Sequence, residues 1–482
     1  MRREDIEKIY DQGKDAVVEC IMLLLEKIET LTQRVNELEQ KLSKDSHNSS
    51  RPPSSDGLKR RKRTRSQRKR TGKKTGGQNG HKGTTLEMSA DPDRVVKIKV
   101  KTCSCCGKSM PGACKKGYEA RQEFEIPAPV VEVTEYRAEI SDCPHCGAEN
   151  RAVFPEGITH KAQYGNYLHS IAVYFKNYQL IPLERNAEIF HDLFNVPLSE
   201  GTIVRTSARC AEALSGFSEW VIERLMKSSV VNFDETGANI CGSLHWIHVA
   251  GTPLLTAYFA HKRRGSEAID AFGVLPGFTG RAVHDHLPVY FKYSCHHALC
   301  NAHHIRELTY MHEHEGQEWA QKMIDCLLEI KHAVDKAAVK GKLLSLTLMK
   351  KFEGKYRDIV RKGFRQNPIV KKNAVKKRGR PKKTNIQNLL VRLRDYQKEV
   401  LAFMYDLDIP FDNNLAERDL RMIKVQQKIS GLFRTMAGAE LFCRIRSFIS
   451  TVRKQGLNVI ESICQIMTGK QIYLNFSCSI AE

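Results

Sequence analysis

Three hydrophobic rhythms succeed one another along this chain. Near the N-terminus Ile21, Leu24, Ile28, Leu31, Val35, Leu38 and Leu42 alternate steps of three and four residues, the a/d repeat of left-handed helix pairing. It predicts a coiled coil over residues 1–45, used either for self-association or for packing back on its own chain. The turn formers and prolines of Ser46 to Ser55, SHNSSRPPSS, end it. From Tyr118 to Ile140 apolar and polar residues alternate strictly enough to predict strands. Tyr164 to Arg224 returns to a helical period, broken at Pro182 and over Asn195–Thr202, with Ser199 and Thr202 as candidate N-caps. Arg205 and Arg209 fall on the second of these helices, which reads either as a helix-turn-helix that docks on DNA or as a structural bridge.

The rhythm changes again at Ser229. SVVNFDETG, LHWIHVAG and LLTAYFAH predict three strands in an antiparallel meander, GSEAIDAFGVL a helix, and GRAVHDHLPVYF a strand closing on Asp285. Strand, strand, strand, helix, strand is the opening of a ribonuclease-H-like α/β core. The expected fold is therefore multidomain α+β: coiled coil 1–45, basic linker 46–95, zinc ribbon 96–160, helical DNA-binding region 161–225, first part of the ribonuclease-H-like core 226–310, helical insertion 311–404, last part of the core 405–455, and a C-terminal tail 456–482.

Charge sets the class of partner. A net charge of +22 on 482 residues exceeds what solubility needs and points to a polyanion, nucleic acid first and an anionic membrane second. No apolar run of about 18 residues occurs, and the first residues lack the apolar core of a secretion signal, so a cytoplasmic protein is expected. Lys59 to Lys74, including Arg60, Arg61, Lys62 and Arg63, is basic and free of apolar residues. Such a segment cannot fold alone and binds phosphate without reading bases. Lys376 to Lys383, KKRGRPKK, is a second basic break, either a plain loop or an AT-hook-like element with Arg378 and Arg380 in a narrow minor groove.

Two constellations carry chemistry. Fifteen cysteines, an odd number, argue for thiols and metal ligands over disulfides. Among them Cys103-x-x-Cys106-Gly and Cys143-x-x-Cys146-Gly have the spacing of two knuckles on one tetrahedral Zn²⁺, with Cys105 and Cys114 spare. The second constellation is acidic. Asp234 within the first strand and Asp285 at the end of the fourth are expected to meet at the sheet edge, where Mg²⁺ or Mn²⁺ would keep both ionised. Glu417 opens a helix that carries Arg421, Lys424 and Lys428 on the same face, so one acid can complete a metal cage while the bases face phosphate. Rival acids are weaker: Asp412 reads as a cap or hinge, Asp419 points away from Glu417, Asp270 has no evident partner, and Glu235 faces the other side of the sheet.

NFDETG, HDHLPVYFKY running into HHALCNAHHIREL, and PFDNNLAERDLRMIKVQQKISGLFR resemble the three blocks of the insertion sequence 66 (IS66) family of DDE transposases, TnpC type. NSSRPPSSD, GGQNGHKG, the paired CxxCG knuckles and KQGLN extend the resemblance from about residue 20 to 460. It implies that Asp234, Asp285 and Glu417 are a catalytic triad, that the cysteine quartet holds zinc, and that the reaction is strand cleavage at element ends followed by strand transfer. The partners implied are terminal inverted repeats, target DNA, a second copy of the chain and other proteins of the same element, in the bacterial cytoplasm at the nucleoid. Cys300-Asn-Ala-His303 either resembles the C-x-x-H element that follows the second aspartate in several DDE families or is a packed turn of the core, and Cys295, His296 and His297 nearby leave a second, adventitious metal open. A catalytically inactive DNA-binding regulator and a nuclease of the same fold are the alternative readings.

Overall fold

A computed structural model describes residues 9–44, 48–49, 86–112, 114, 116–126, 129–369, 383–470, 472 and 474. Arg60, Arg61, Lys62, Arg63, Arg378 and Arg380 lie outside these residues. The chain divides into two units, residues 1–61 with 136–482, and residues 62–135.

In the larger unit, α1 (Lys14–Leu42) carries the a/d seam, whose side chains are exposed. A short hairpin, β1 (Ile140–Asp142) with β2 (Glu149–Arg151), surrounds the second CxxC turn. Four helices follow: α2 (Asn166–Val173), continued by a π-helical turn over Tyr174–Tyr178, α3 (Leu183–Phe194), α4 (Glu200–Ala213) and α5 (Ser215–Met226). Ser199 caps α4, accepting a hydrogen bond from Thr202 N–H at 3.2 Å, while Thr202 lies inside the first turn. Phe190, Val196, Leu198 and Ile203 close a small core between these helices.

The sheet comprises β3 (Val230–Ile240), β4 (Ser243–Gly251), β5 (Thr256–His261), β6 (Arg281–His284) and β7 (His296–Leu299), in the order β5-β4-β3-β6-β7. β3, β4 and β5 form the predicted antiparallel meander, and β6 and β7 run parallel to β3. A helix, α6 (Ser266–Phe272), crosses between the two groups, as predicted. One face of the sheet packs Phe233, Ala257, Phe272 and Phe278 around α6; the other packs Ala238, Ile247 and Val249 under later helices.

After β7 the chain is helical: α7 (Asn301–Glu313), α8 (Glu318–Ala338), α9 (Leu346–Gln366), α10 (Asn385–Asp395), α11 (Gln397–Val400) and α12 (Ala402–Tyr405). Trp319, Met323, Tyr356, Leu390 and Phe403 of this insertion share one core with Val283 of β6 and with Ala298 and Leu299 of β7. α13 (Asn414–Ser430) and α14 (Met436–Lys454) then return to the sheet. Residues read as a tail include α15 (Val459–Met467), whose Val459 and Ile463 pack with Phe448 and Val452 of α14. No helix among the described residues is long and apolar enough to cross a membrane.

The smaller unit contains no helix or strand among its described residues, only an isolated bridge between Thr102 and Ser109. The strands expected from Tyr118 to Ile140 are therefore a correction: among the described residues of that stretch only Ile140, in β1, is in a strand. Tyr118, Ile126, Val130 and Val133 are exposed, and alternation specifies a strand only where a neighbouring strand and an apolar layer use it.

Candidate active site

Asp234 lies near the middle of β3, and Asp285 is the first residue past β6. The last parallel pair is Asn232 with Val283, so each aspartate stands two residues beyond a matched position on neighbouring strands. Two residues is one pleat repeat, which directs both carboxylates to the same face. Directly after Asp285 the backbone turns left-handed at His286, with φ of 75°. A non-glycine residue holds that conformation where its surroundings fix it. His286 N–H donates to His284 Nδ1 at 3.2 Å, and its ring meets Tyr396 edge-on with centroids 4.6 Å apart.

Glu417 arrives from α13. Asn413, at the helix start, spends its side chain on the sheet: Nδ2 donates to the Phe233 carbonyl and Oδ1 accepts from Asn232 Nδ2, both at 2.8 Å. The helix is thereby tied to β3 beside Asp234. Asp412 accepts a hydrogen bond from Asn414 N–H at 3.1 Å, an i to i+2 turn just before the helix; the N-cap position itself belongs to Asn413. Glu417 follows in the first turn, where the helix dipole favours negative charge. Ala416, Leu420 and Ile423 bury the stripe beside Glu417 against Ala238, Ile247 and Val249. Beyond the C-terminus Phe433 bridges Ile240, so α13 is held to β3 at both ends.

The acids sense one another. Burial, then the charges of Glu235 and Asp285, push the Asp234 carboxyl well above the usual carboxylate range; Glu417 adds to the push, and the Glu235 N–H donated to Asp234 Oδ1 at 2.8 Å opposes it. Asp285 Oδ1 and Glu417 Oε1 are buried without a hydrogen-bond partner among the described residues. Buried anionic oxygens in that condition are costly unless a cation meets them, and an all-oxygen donor set suits Mg²⁺ or Mn²⁺.

The rival acids are occupied elsewhere. Glu235 faces the other side of β3, where Arg264 donates to Oε1 from Nε at 2.9 Å and from Nη2 at 2.6 Å, and the Tyr290 hydroxyl donates to Oε2 at 2.7 Å. Asp419 pairs with Lys454 Nζ at 2.8 Å. Asp270, expected to have no partner, accepts a hydrogen bond from the Tyr293 hydroxyl at 2.6 Å; that partner comes from the segment before β7, beyond the reach of helical spacing.

Around Glu417 stand residues that motif spacing alone did not connect to it. His303 Nδ1 lies 3.8 Å from Oε1 and Arg306 Nη2 3.8 Å from Oε2. Cys300 Sγ accepts a hydrogen bond from Asn413 N–H at 3.1 Å. One ligand atom from each of Cys300, His303 and Glu417 falls within 4.8 Å of the others. The signal available in the sequence was the i, i+3, i+6 spacing of Cys300, His303 and Arg306, which places all three near one another on α7.

Of the predicted basic residues, Arg421 and Lys428 are exposed on α13. Lys424 instead donates to the Gly237 carbonyl on β3, and burial lowers its pKa. On α4, Arg205 and Arg209 are exposed and bond to Thr202 Oγ1 and Asn166 Oδ1, each at 3.2 Å.

The two CxxC turns are alike, each taken by itself. Cys103 N–H donates to the Lys108 carbonyl at 2.9 Å, and Cys143 N–H to the Ala148 carbonyl at 2.8 Å. Gly107 and Gly147 both have φ of 71°, the left-handed step that lets backbone N–H groups point at a sulfur. Those groups, from Cys106 and Cys105 in one turn and from His145 and Cys146 in the other, draw the Cys103 and Cys143 pKa values down toward the thiolate that a metal takes.

The model of the transposase IS66 family matches residues 161–441, from the helical region into the start of α14. That of the zinc-finger binding domain of transposase IS66 matches residues 101–147, spanning both CxxC turns, and supports a structural zinc ion. A family of unknown function (DUF6444) matches residues 3–87. No curated protein matches the chain. With more than half of the chain matched, including the elements that carry Asp234, Asp285 and Glu417, the protein belongs to the IS66 family of transposases.

Proposed function

We propose that Asp234, Asp285 and Glu417 are the metal-binding carboxylates of a ribonuclease-H-like core that cuts DNA at the ends of an insertion sequence and joins those ends to target DNA. The observation that carries this reading is the electrostatic coupling of acids from distant parts of the chain: the Asp234 carboxyl is raised by burial first and then by Glu235, Asp285 and Glu417, and two carboxylate oxygens, on Asp285 and Glu417, are buried without partners among the described residues. The sheet order β5-β4-β3-β6-β7, antiparallel on one side of β3 and parallel on the other, supports the fold assignment.

Bound Mg²⁺ or Mn²⁺ would supply two-metal phosphoryl transfer, activating the attacking oxygen and stabilising the leaving one. The chain's part is to hold the ligands. Asn413 fixes the start of α13 beside Asp234, the left-handed turn at His286 aims Asp285, and Arg421 and Lys428 offer charge to a DNA strand along α13. Arg205 and Arg209 on α4, with the basic segments around Arg60, Arg61, Lys62 and Arg63 and around Arg378 and Arg380, supply sequence-independent phosphate affinity. Lys424 supports the site from its bond to β3. Cys103, Cys106, Cys143 and Cys146 are the proposed zinc ligands.

Self-association follows from α1. Its seam is exposed, with β-branched Ile21, Ile28 and Val35 at a and Leu24, Leu31 and Leu38 at d, a combination that favours two parallel strands.

The test is cleavage and joining of terminal-repeat DNA with Mg²⁺ or Mn²⁺. Asp234→Ala, Asp285→Ala and Glu417→Ala should each reduce both products to background while DNA affinity stays within about twofold, the removed groups being metal ligands rather than phosphate contacts. Wild-type rates from Glu417→Ala would remove that residue from the site.

A further inference from the structure

We propose that Cys300, His303 and Glu417 form a second divalent-cation site, suited to a borderline-soft ion of the zinc class, and that filling it withdraws Glu417 from the carboxylate triad. The second clause rests on the function proposed above; the first does not.

Three observations converge. The three ligand atoms lie within 4.8 Å of one another. His303 Nδ1 and Glu417 Oε1, 3.8 Å apart, are both buried and both lack a hydrogen-bond partner among the described residues. Two such atoms facing each other form neither a hydrogen bond nor a close ion pair, and a cation between them satisfies both. Finally, the helix starts that carry the ligands are joined independently of any ion, because Asn413 N–H donates to Cys300 Sγ and Asn301 N–H to the Phe411 carbonyl at 3.1 Å.

The donor set selects the ion. One sulfur, one imidazole nitrogen and one carboxylate oxygen, with a position left for water, is the three-ligand arrangement taken by zinc. Mg²⁺ prefers oxygen throughout and has no use for the thiol. Binding would release the Cys300 thiol proton to solvent. Arg306 lies on Oε2 of Glu417, leaving Oε1 for the ion. Because the carboxylate is shared, zinc there and Mg²⁺ in the triad would compete.

The test uses the full-length protein with its zinc-finger domain loaded. After equilibration with zinc and removal of free ion, wild type should retain one zinc per chain more than Cys300→Ser or His303→Gln, each verified as folded by circular dichroism. His303→Gln is the variant less disruptive to packing. Zinc at a concentration that fills the extra site should slow Mg²⁺-dependent DNA cleavage by wild type tenfold or more and slow His303→Gln, referred to its own zinc-free rate, less than threefold. Equal zinc content in all three proteins overturns the site and leaves the triad standing. An extra zinc that leaves wild-type cleavage unchanged overturns the sharing of Glu417.

Discussion

Asn413 is the residue on which the position of Glu417 most depends. It is almost wholly buried, and its side chain joins the start of α13 to Asn232 and to the Phe233 carbonyl. Asn413→Ala leaves one buried donor and one buried acceptor unmatched, at a cost of about 2 kcal/mol. The larger expected effect is on chemistry. With the tie gone the first turn of α13 is free to shift, and positioning losses of this kind reach about a hundredfold per ångström. Thermal unfolding and DNA-cleavage rates of Asn413→Ala, measured together, should show modest destabilisation with a disproportionate loss of rate. A variant as active as wild type would mean that the packing of Ala416 and Leu420 alone sets the helix. At this scale the sequence was only partly legible. Asp234, Asp285 and Glu417 stand out because an acid that interrupts an apolar strand, follows one or opens a helix is conspicuous in the sequence. Asn413 and the Arg264–Glu235–Tyr290 group do not, because their partners are many residues away and no local spacing announces them.

Among elements, β6 shows how a short strand is aimed. Gly280, just before it, lies so close to β3 that an added Cβ would come within 2.6 Å of the Ser228 and Ser229 carbonyl oxygens and 2.7 Å of Phe278 Cζ. Arg281 N–H donates to the Ser229 carbonyl at 2.8 Å and His296 N–H to the Gly280 carbonyl at 3.0 Å, so the backbone cannot retreat without breaking pairing on both sides. Gly280→Ala should cost about 1–3 kcal/mol as an overpacked contact and, by displacing the strand that ends at Asp285, should weaken Mn²⁺ binding measured by calorimetry. Wild-type stability and affinity would show that the strand absorbs the methyl group. The meander, α6 and β6 are legible because each carries a clean period with turn residues between. β7 is four residues long with two histidines at its start, and α15 is only nine residues long, so neither supplies enough pattern to outweigh its surroundings. The Tyr118–Ile140 alternation misleads for the opposite reason: its period is clear, yet among the described residues no paired strand or apolar layer uses it.

For the whole molecule, the sequence separates tasks along the chain. An exposed heptad seam is suited to a second copy, basic segments to phosphate, and a zinc-finger domain lies between these and the sheet. The sheet and α13 bring three acids together, with Cys300 and His303 beside the last of them. The most direct test of this account is to locate Mn²⁺ by anomalous diffraction in crystals of the protein bound to terminal-repeat DNA. Anomalous peaks are expected within coordination distance of Asp234, Asp285 and Glu417 and beside a backbone phosphate. Peaks that leave Glu417 unligated, with its carboxylate turned away from both aspartates, would contradict it.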